Sequence, residues 1–332
     1  LVVNQNLIAE GTEQDPIYFT SLKDDSAGLE NHPEWRDDDG NCIAGLACDT
    51  NADGSATSPA PGDWNQITFN TDCSNGCRPA TGSLDHTIIS YGSNNMIYLR
   101  NHNGPGYPEP TFSNSVLEHS SGNAMYVELS NPTVNNLEVK NNVGYAYYLV
   151  TNANIEFTGD NNTAYNNSVN GVGYSDFGSI TTNQTWYKDL PYAIVGAYQN
   201  LARVNSELTL EPGTIIKFNT GLGMEINQKL SANAVTEQPI YFTSYKDDAV
   251  GIETHPDWFE SGVCKPHYPC DTNNNDTATS PAKEDWTGVL FNGTSARGQI
   301  SNTTFRYGAG GTGNYDYELA FSGLTTNTIE VK

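Results

Sequence analysis

Apolar residues in this chain come in short runs of about three to five, separated by Asn, Gly and Ser. Residues 115–129 read SVLEHSSGNAMYVEL, and residues 135–149 read NNLEVKNNVGYAYYL, an offset of 20 positions. Asn154 to Phe157 and Asn302 to Phe305 open further units of the same kind. No segment keeps a 3.6-residue period over three turns, so helices are expected to be rare. Short strands recurring every ~20 residues predict a coil with one rung per unit. Such a coil stacks rungs about 4.8 Å apart, with inward ladders of Ile, Val, Leu and Phe and outward Asn, Thr, Ser and Tyr.

A longer repeat encloses the short one. PIYFTSLKDD at 16–25 recurs as PIYFTSYKDD at 239–248, an offset of 223. Gly28, His32-Pro33 and Trp35 match Gly251, His255-Pro256 and Trp258. After the loss of one residue the offset is 222, so that Cys48 to Asn51 matches Cys270 to Asn273 and Asp63-Trp64 matches Asp285-Trp286. The expectation is an all-β chain: a single continuous β-helix over residues 1–332, with insertion loops at about 22–63 and 245–285. The chain opens and closes part-way through a repeat, which reads as a segment of a longer tandem array.

Gly at 31 and plentiful Asn suit the left-handed corners that such turns need. With 15 Lys and Arg against 39 Asp and Glu, the net charge is −24. That surface repels nucleic acid and anionic membranes and attracts cations. No run of about 18 apolar residues exists to span a membrane. The six cysteines form local sets. The long repeat matches Cys42 and Cys48 with Cys264 and Cys270, which leaves Cys73 with Cys77. Three local disulfides imply an oxidising, extracellular or cell-surface setting. A zinc site would want a Cys-x-x-Cys pair or spaced His, and neither accompanies these cysteines.

The segment LTLEPGTIIKFNTGLGMEINQKLSANAVTEQPIYFTSYKDD from Leu208, followed by EDWTGVLFN, resembles the tandem right-handed parallel β-helix repeats, of pectin-lyase-like fold, in large secreted and surface proteins of bacteria and archaea. Glu211-Pro212-Gly213-Thr214, Pro239 to Asp248 and Asp285 to Phe291 carry the pattern; Gly11-Thr12, Pro16 to Asp25 and Asp63 to Phe69 carry it in the first copy. Ser231 to Ala234 departs from the family's usual turn. The resemblance covers nearly the whole chain. It implies a fold and little about function, because this fold carries lyases, hydrolases, adhesins and spacers alike.

The strongest chemical signal is DTNADG at 49–54. Oxygen ligands at alternate positions before a glycine are the first half of a calcium loop, and no Glu stands at the twelfth position to complete an EF-hand. Asp49, Asn51 and Asp53 are the candidate ligands. The second copy offers Asp271, Asn273 and Asn275, one carboxylate fewer, with Asp276 as a substitute. Asp24, Asp25, Asp247 and Asp248 at the loop entrances and Asp63 and Asp285 at the exits are candidates to complete the shells. The competing reading is a solvated acidic loop in which Asn and Asp make turns.

A polysaccharide lyase or glycoside hydrolase acting on acidic glycans is the alternative to a structural or adhesive function. It is disfavoured by carboxylate pairs that recur at equivalent positions and by scattered arginines at 78, 100, 203, 297 and 306. His32 and His255 are expected to pack on Trp35 and Trp258, and Trp64 and Trp286 to bury against the coil. Tyr145, Tyr147 and Tyr148 suggest a sugar platform, but in-and-out alternation explains them more cheaply. Sequons stand at Asn161, Asn166, Asn183, Asn275, Asn292 and Asn302. Leu1-Val2-Val3 and Thr328 to Lys332 read as bare strands, so identical subunits or further repeats are expected end to end, giving a filament or stalk with surface glycans as further partners.

Overall fold

The structure, a computed structural model, describes residues 1–73, 76–101, 106–150, 152–159, 161–176, 179–311, 317–323 and 329–331. Thr328 and Lys332, read above as part of a final strand, lie outside them. The chain is a parallel β-helix. Its longest sheet has ten strands, each hydrogen-bonded to the strand one rung away, and sheets of eight, five and four strands form the other faces. Every named pairing in these four sheets is parallel; the antiparallel pair Phe259–Glu260 with Val263–Cys264 lies in the second loop. Among the described residues the only helices are single 3₁₀ turns at Pro33–Trp35, Tyr198–Asn200 and Pro256–Trp258. None is long and apolar enough to cross a membrane.

Two inward ladders on the ten-stranded sheet form one wall of the core, which inward residues of the other three sheets complete. Ile67, Ile97, Met125, Tyr147, Val172, Tyr192, Ile216 and Phe242 follow one another in register. Phe69, Leu99, Val127, Leu149, Tyr174, Ile194 and Phe218 run beside them, and all of these side chains are fully buried. Tyr147 therefore belongs to the core and not to an outward platform. Strand alternation divides the Tyr-Ala-Tyr-Tyr run, leaving Tyr145 and Tyr148 half-exposed.

Corners of the coil are single residues in the left-handed region. His86, Asn114 and Asn136 turn successive rungs at one corner, with φ of 47°, 47° and 52°. Asn136 donates to the Asn114 amide oxygen at 2.8 Å across a separation of 22 residues. Asn tolerates this conformation better than most residues with a Cβ. A second Asn column is internal: the Asn142 side chain donates to Asn167 at 2.8 Å and to the Leu117 carbonyl at 3.2 Å, and the Asn170 oxygen accepts from the Asn167 backbone at 2.8 Å. These amides are buried, so each must find a partner.

Two details differ from the reading of the repeat. The rung that carries this similarity is 22 residues and not 20: Leu117 pairs with Val139, and Glu118 with Lys140, whereas a 20-residue rung comes later, where Val172 pairs with Tyr192. A slip of two keeps every side chain on the same face, so similarity of pattern cannot detect it. The two PIYFTS copies also occupy different sheets, Ile17–Phe19 in the eight-stranded and Ile240–Ser244 in the ten-stranded sheet. A register irregularity at Tyr174/Ser175, where Val169–Asp176 meets Tyr192–Ala197, lies between them.

Candidate metal centres in the two loops

All three disulfides pair as expected: Cys42 with Cys48, Cys73 with Cys77 and Cys264 with Cys270. Such cross-links mark a non-reducing compartment. In the first loop the Cys42–Cys48 staple immediately precedes Asp49, whose carboxylate organises the turn. It accepts from the backbone N–H of Gly45 at 2.8 Å, Asp53 at 3.0 Å and Gly54 at 3.1 Å. The Gly45 bond leads in holding this carboxyl below the usual carboxylate range.

The turn brings Asp49 and Asp53 to Asp25, with one carboxylate oxygen of each within 4.8 Å of the others. Asp25 Oδ1 is shielded from solvent and has no hydrogen-bond donor. Desolvation, then the charges of Asp49, Asp53 and Asp24, push the Asp25 carboxyl up. Three carboxylates with an orphaned oxygen among them make a set of hard donors suited to a divalent cation.

The other candidates have protein partners. Asn51 braces the turn, its Oδ1 accepting from the Asp53 N–H and its amide donating to Asp53 Oδ2 at 3.0 Å. Asp24 accepts from Thr20 Oγ1 at 2.5 Å and Ser26 Oγ at 2.6 Å. Asp63 clamps the loop neck, taking Lys23 Nζ at 2.7 Å, Ser21 Oγ at 2.7 Å and the Ala60 N–H at 3.0 Å. The Lys23 and Ser21 bonds hold its carboxyl down at about 2. This clamp is complete above the ordinary aspartate range and is lost as pH falls through about 2. The same neck recurs at Asp285, which takes Lys246 Nζ at 2.8 Å, Ser244 Oγ at 2.7 Å and the Ala282 N–H at 2.9 Å. Asp247 repeats Asp24, with Thr243 at 2.5 Å, and adds an ion pair to Arg306 at 2.7 Å.

The second loop builds the same turn differently. Asp271 accepts from Asn275, Asp276 and His267 backbone N–H groups. It gathers with Asp276 and His267 rather than with a third loop carboxylate. Asp248 Oδ1, Asn273 Oδ1 and Asn275 Oδ1 are shielded and without donors. Beneath them lies Lys217, fully buried, with its ammonium donating to the Cys270 carbonyl at 2.6 Å. Desolvation pushes Asp248 up to about 7, Asp271 and Asp247 adding to this and Lys217 opposing it. His267 and Lys217 escaped the sequence reading as site members, whereas Asp276 enters it as a substitute ligand. Lys217 did leave a signal, a lone cation inside the apolar run TIIKF.

Lys217 also records where the loop sits. The second loop folds back over earlier rungs: the N–H groups of Asn166 and Asn170 donate to the carbonyls of His267 and Thr272, and His255 Nε2 lies 2.9 Å from the Lys188 carbonyl. His255 stacks on Trp258 and His32 on Trp35, each at 3.7 Å between centroids. Trp286 is fully buried on Phe218, and Trp64 packs half-buried against the core. Each loop bounds a cavity of about 590 Å³, floored by Asp24 and Asp25 in the first and by Asp247, Asp248 and Asp271 in the second.

Of the sequons, Asn161 is exposed. The amide nitrogens of Asn166, Asn275, Asn292 and Asn302 are bonded to Asn141, Thr279, Glu225 and Ala234, and the Asn183 oxygen to Ser206. A glycan at those four nitrogens would replace bonds already made.

Asp248 gives a pH dependence of opposite sign to the neck clamp. A folded-state pKa raised to about 7 means that the folded chain holds this proton more tightly. Without a cation, its contribution to stability is full below the ordinary aspartate range and is lost as pH rises towards about 7. Melts in chelator are expected to drop between pH 5 and pH 8, and Asp248→Asn to flatten the drop. An unchanged drop in that variant would assign the effect elsewhere.

Set against family models, curated proteins and solved structures, the chain matches none of the three.

Proposed function

We propose that this chain is a structural or adhesive module of an extracellular surface protein, built from tandem β-helix repeats of the pectin-lyase-like kind and forming part of a filament or stalk that calcium stiffens. The observation that carries this reading is the doubled loop. The same disulfide, acidic turn and Ser-Lys-Asp neck are built twice, as reinforcement is, whereas a reaction centre needs building only once. A solenoid is quasi-one-dimensional, so further repeats or identical subunits extend it along its axis. Calcium is the cofactor favoured here because the donors are hard oxygens. The first loop, which gathers three carboxylates, is the tighter site.

Electron micrographs of the protein at millimolar calcium are expected to show elongated particles or fibres along the coil axis. Compact monomers alone would refute the stalk. Incubation with pectate or alginate is expected to release neither unsaturated nor reducing ends. Cleavage abolished by Asp247→Asn or Asp248→Asn would replace the structural reading with a lyase or hydrolase.

A further inference from the structure

The outward side of the ten-stranded sheet carries a column of tyrosines. Register places Tyr98 beside Tyr126 and Tyr126 beside Tyr148. Their ring centroids are 5.1 and 5.5 Å apart. The next position in this register is Gly173. A Cβ there would meet the Tyr145 ring at 2.3 Å, so the missing side chain leaves the space that Tyr145 occupies, 4.8 Å from Tyr148. Four phenol rings thus follow one another along the coil axis, all half-buried.

Polar columns flank them. On one side the Asn123 amide donates to Asn95 at 2.8 Å. On the other, Arg100 pairs in register with Glu128; its guanidinium lies 5.8 Å from the Tyr98 ring centre, and the Tyr98 hydroxyl donates to Glu128 at 3.2 Å. Beyond Gly173 the register runs through Ala193 to Lys217, where the second loop closes the face through Cys270. Core packing does not require these rings, since the inward ladders of the same strands already fill the coil with Ile97, Leu99, Met125, Val127, Tyr147 and Leu149.

We propose that this column is a binding track for an uncharged, unbranched glycan lying along the coil axis, about one sugar to each tyrosine. Sugar rings present apolar C–H faces, which stack on aromatic rings, and equatorial hydroxyls, which the flanking amides and charged groups can bond. The rung spacing of about 4.8 Å is close to the length of one sugar in an extended chain. The net charge of −24 disfavours polyanionic glycans. The proposal deepens the adhesive part of the function above and rests on it, but needs neither the calcium sites nor the filament.

The test is calorimetric titration of the whole chain with cello- and chito-oligosaccharides of two to six sugars. Affinity for one of the two series is expected to rise up to about four sugars and then level off. Tyr126→Ala and Tyr148→Ala are each expected to weaken binding about tenfold or more, Tyr126→Phe to retain it, and the off-track Tyr317→Ala to leave it unchanged. Melting curves of each variant separate lost binding from lost fold. No binding of either series by the wild-type protein, or unchanged binding by the folded Tyr126/Tyr148 double variant, would overturn the track. Self-association in sedimentation that vanishes with the tyrosines, without glycan binding, would assign the face to a second copy and also overturn it. Calcium uptake and fibre formation are measured on the same wild-type sample. Their failure would sink the stalk, whatever the glycan titration returns.

Discussion

Asp25→Asn is expected to change sign with calcium. In chelator the variant melts at or above the wild-type temperature, because it removes one of three crowded carboxylates whose mutual repulsion and desolvation already raise the Asp25 carboxyl. Asp25 Oδ1 has no donor, so an amide oxygen in its place loses no hydrogen bond there. In calcium the order reverses. A site occupied at 100 times its dissociation constant stabilises the fold by about 2.7 kcal/mol. Loss of a carboxylate ligand from a three-carboxylate set removes most of that, and calorimetry should show the tighter of two sites weakened by at least about tenfold. Asp63→Asn serves as the contrast: it loosens the Lys23 clamp and destabilises the loop neck equally with and without calcium. A wild-type protein that takes up no calcium and melts at one temperature in calcium and chelator would end the metal reading. The acidic turn would then be a turn and nothing more.

The second large effect belongs to the buried amide column. Asn167 donates to the Val139 and Tyr165 carbonyls, and its oxygen accepts from the Asn142 backbone and side chain. Apart from the part-buried bond to Tyr165, these bonds lie away from water. Asn167→Ala leaves several of them unpaired at about 1–3 kcal/mol each, so a total near 4 kcal/mol is expected in urea unfolding. The adjacent Asn166 is exposed on the outer corner, with one side-chain bond to Asn141. Asn166→Ala should cost about 1 kcal/mol or less. Equal losses for the two neighbours would show that the internal column contributes no more than the external one.

Local chemistry made much of this protein legible from its residues. Runs of three to five apolar residues between Asn and Gly leave no room for helices and specify short strands. Cysteines six and four positions apart are already near enough to pair. The turn of DTNADG closes on its own backbone, so its geometry follows from its residues. The long repeat also made it clear that whatever the first loop builds, the second builds in some form.

What remained hidden depends on which rungs become neighbours. Asp24 and Asp25 are adjacent in sequence and equivalent in chemistry, yet the turn that follows Ile17–Phe19 sets Asp24 onto Thr20 and Ser26 and leaves Asp25 facing Asp49 and Asp53. Asp63 is claimed by Lys23, 40 residues earlier, through closure of the loop neck. Lys217 reaches Cys270 only because the second loop folds back over the preceding rungs. The tyrosine column exists because rungs of unequal length, 28 and then 22 residues, still bring Tyr98, Tyr126 and Tyr148 into one register. A strand carries its in-and-out alternation within itself. Which outward side chains line up is decided by the lengths of the turns between strands, and only the stacked coil settles that.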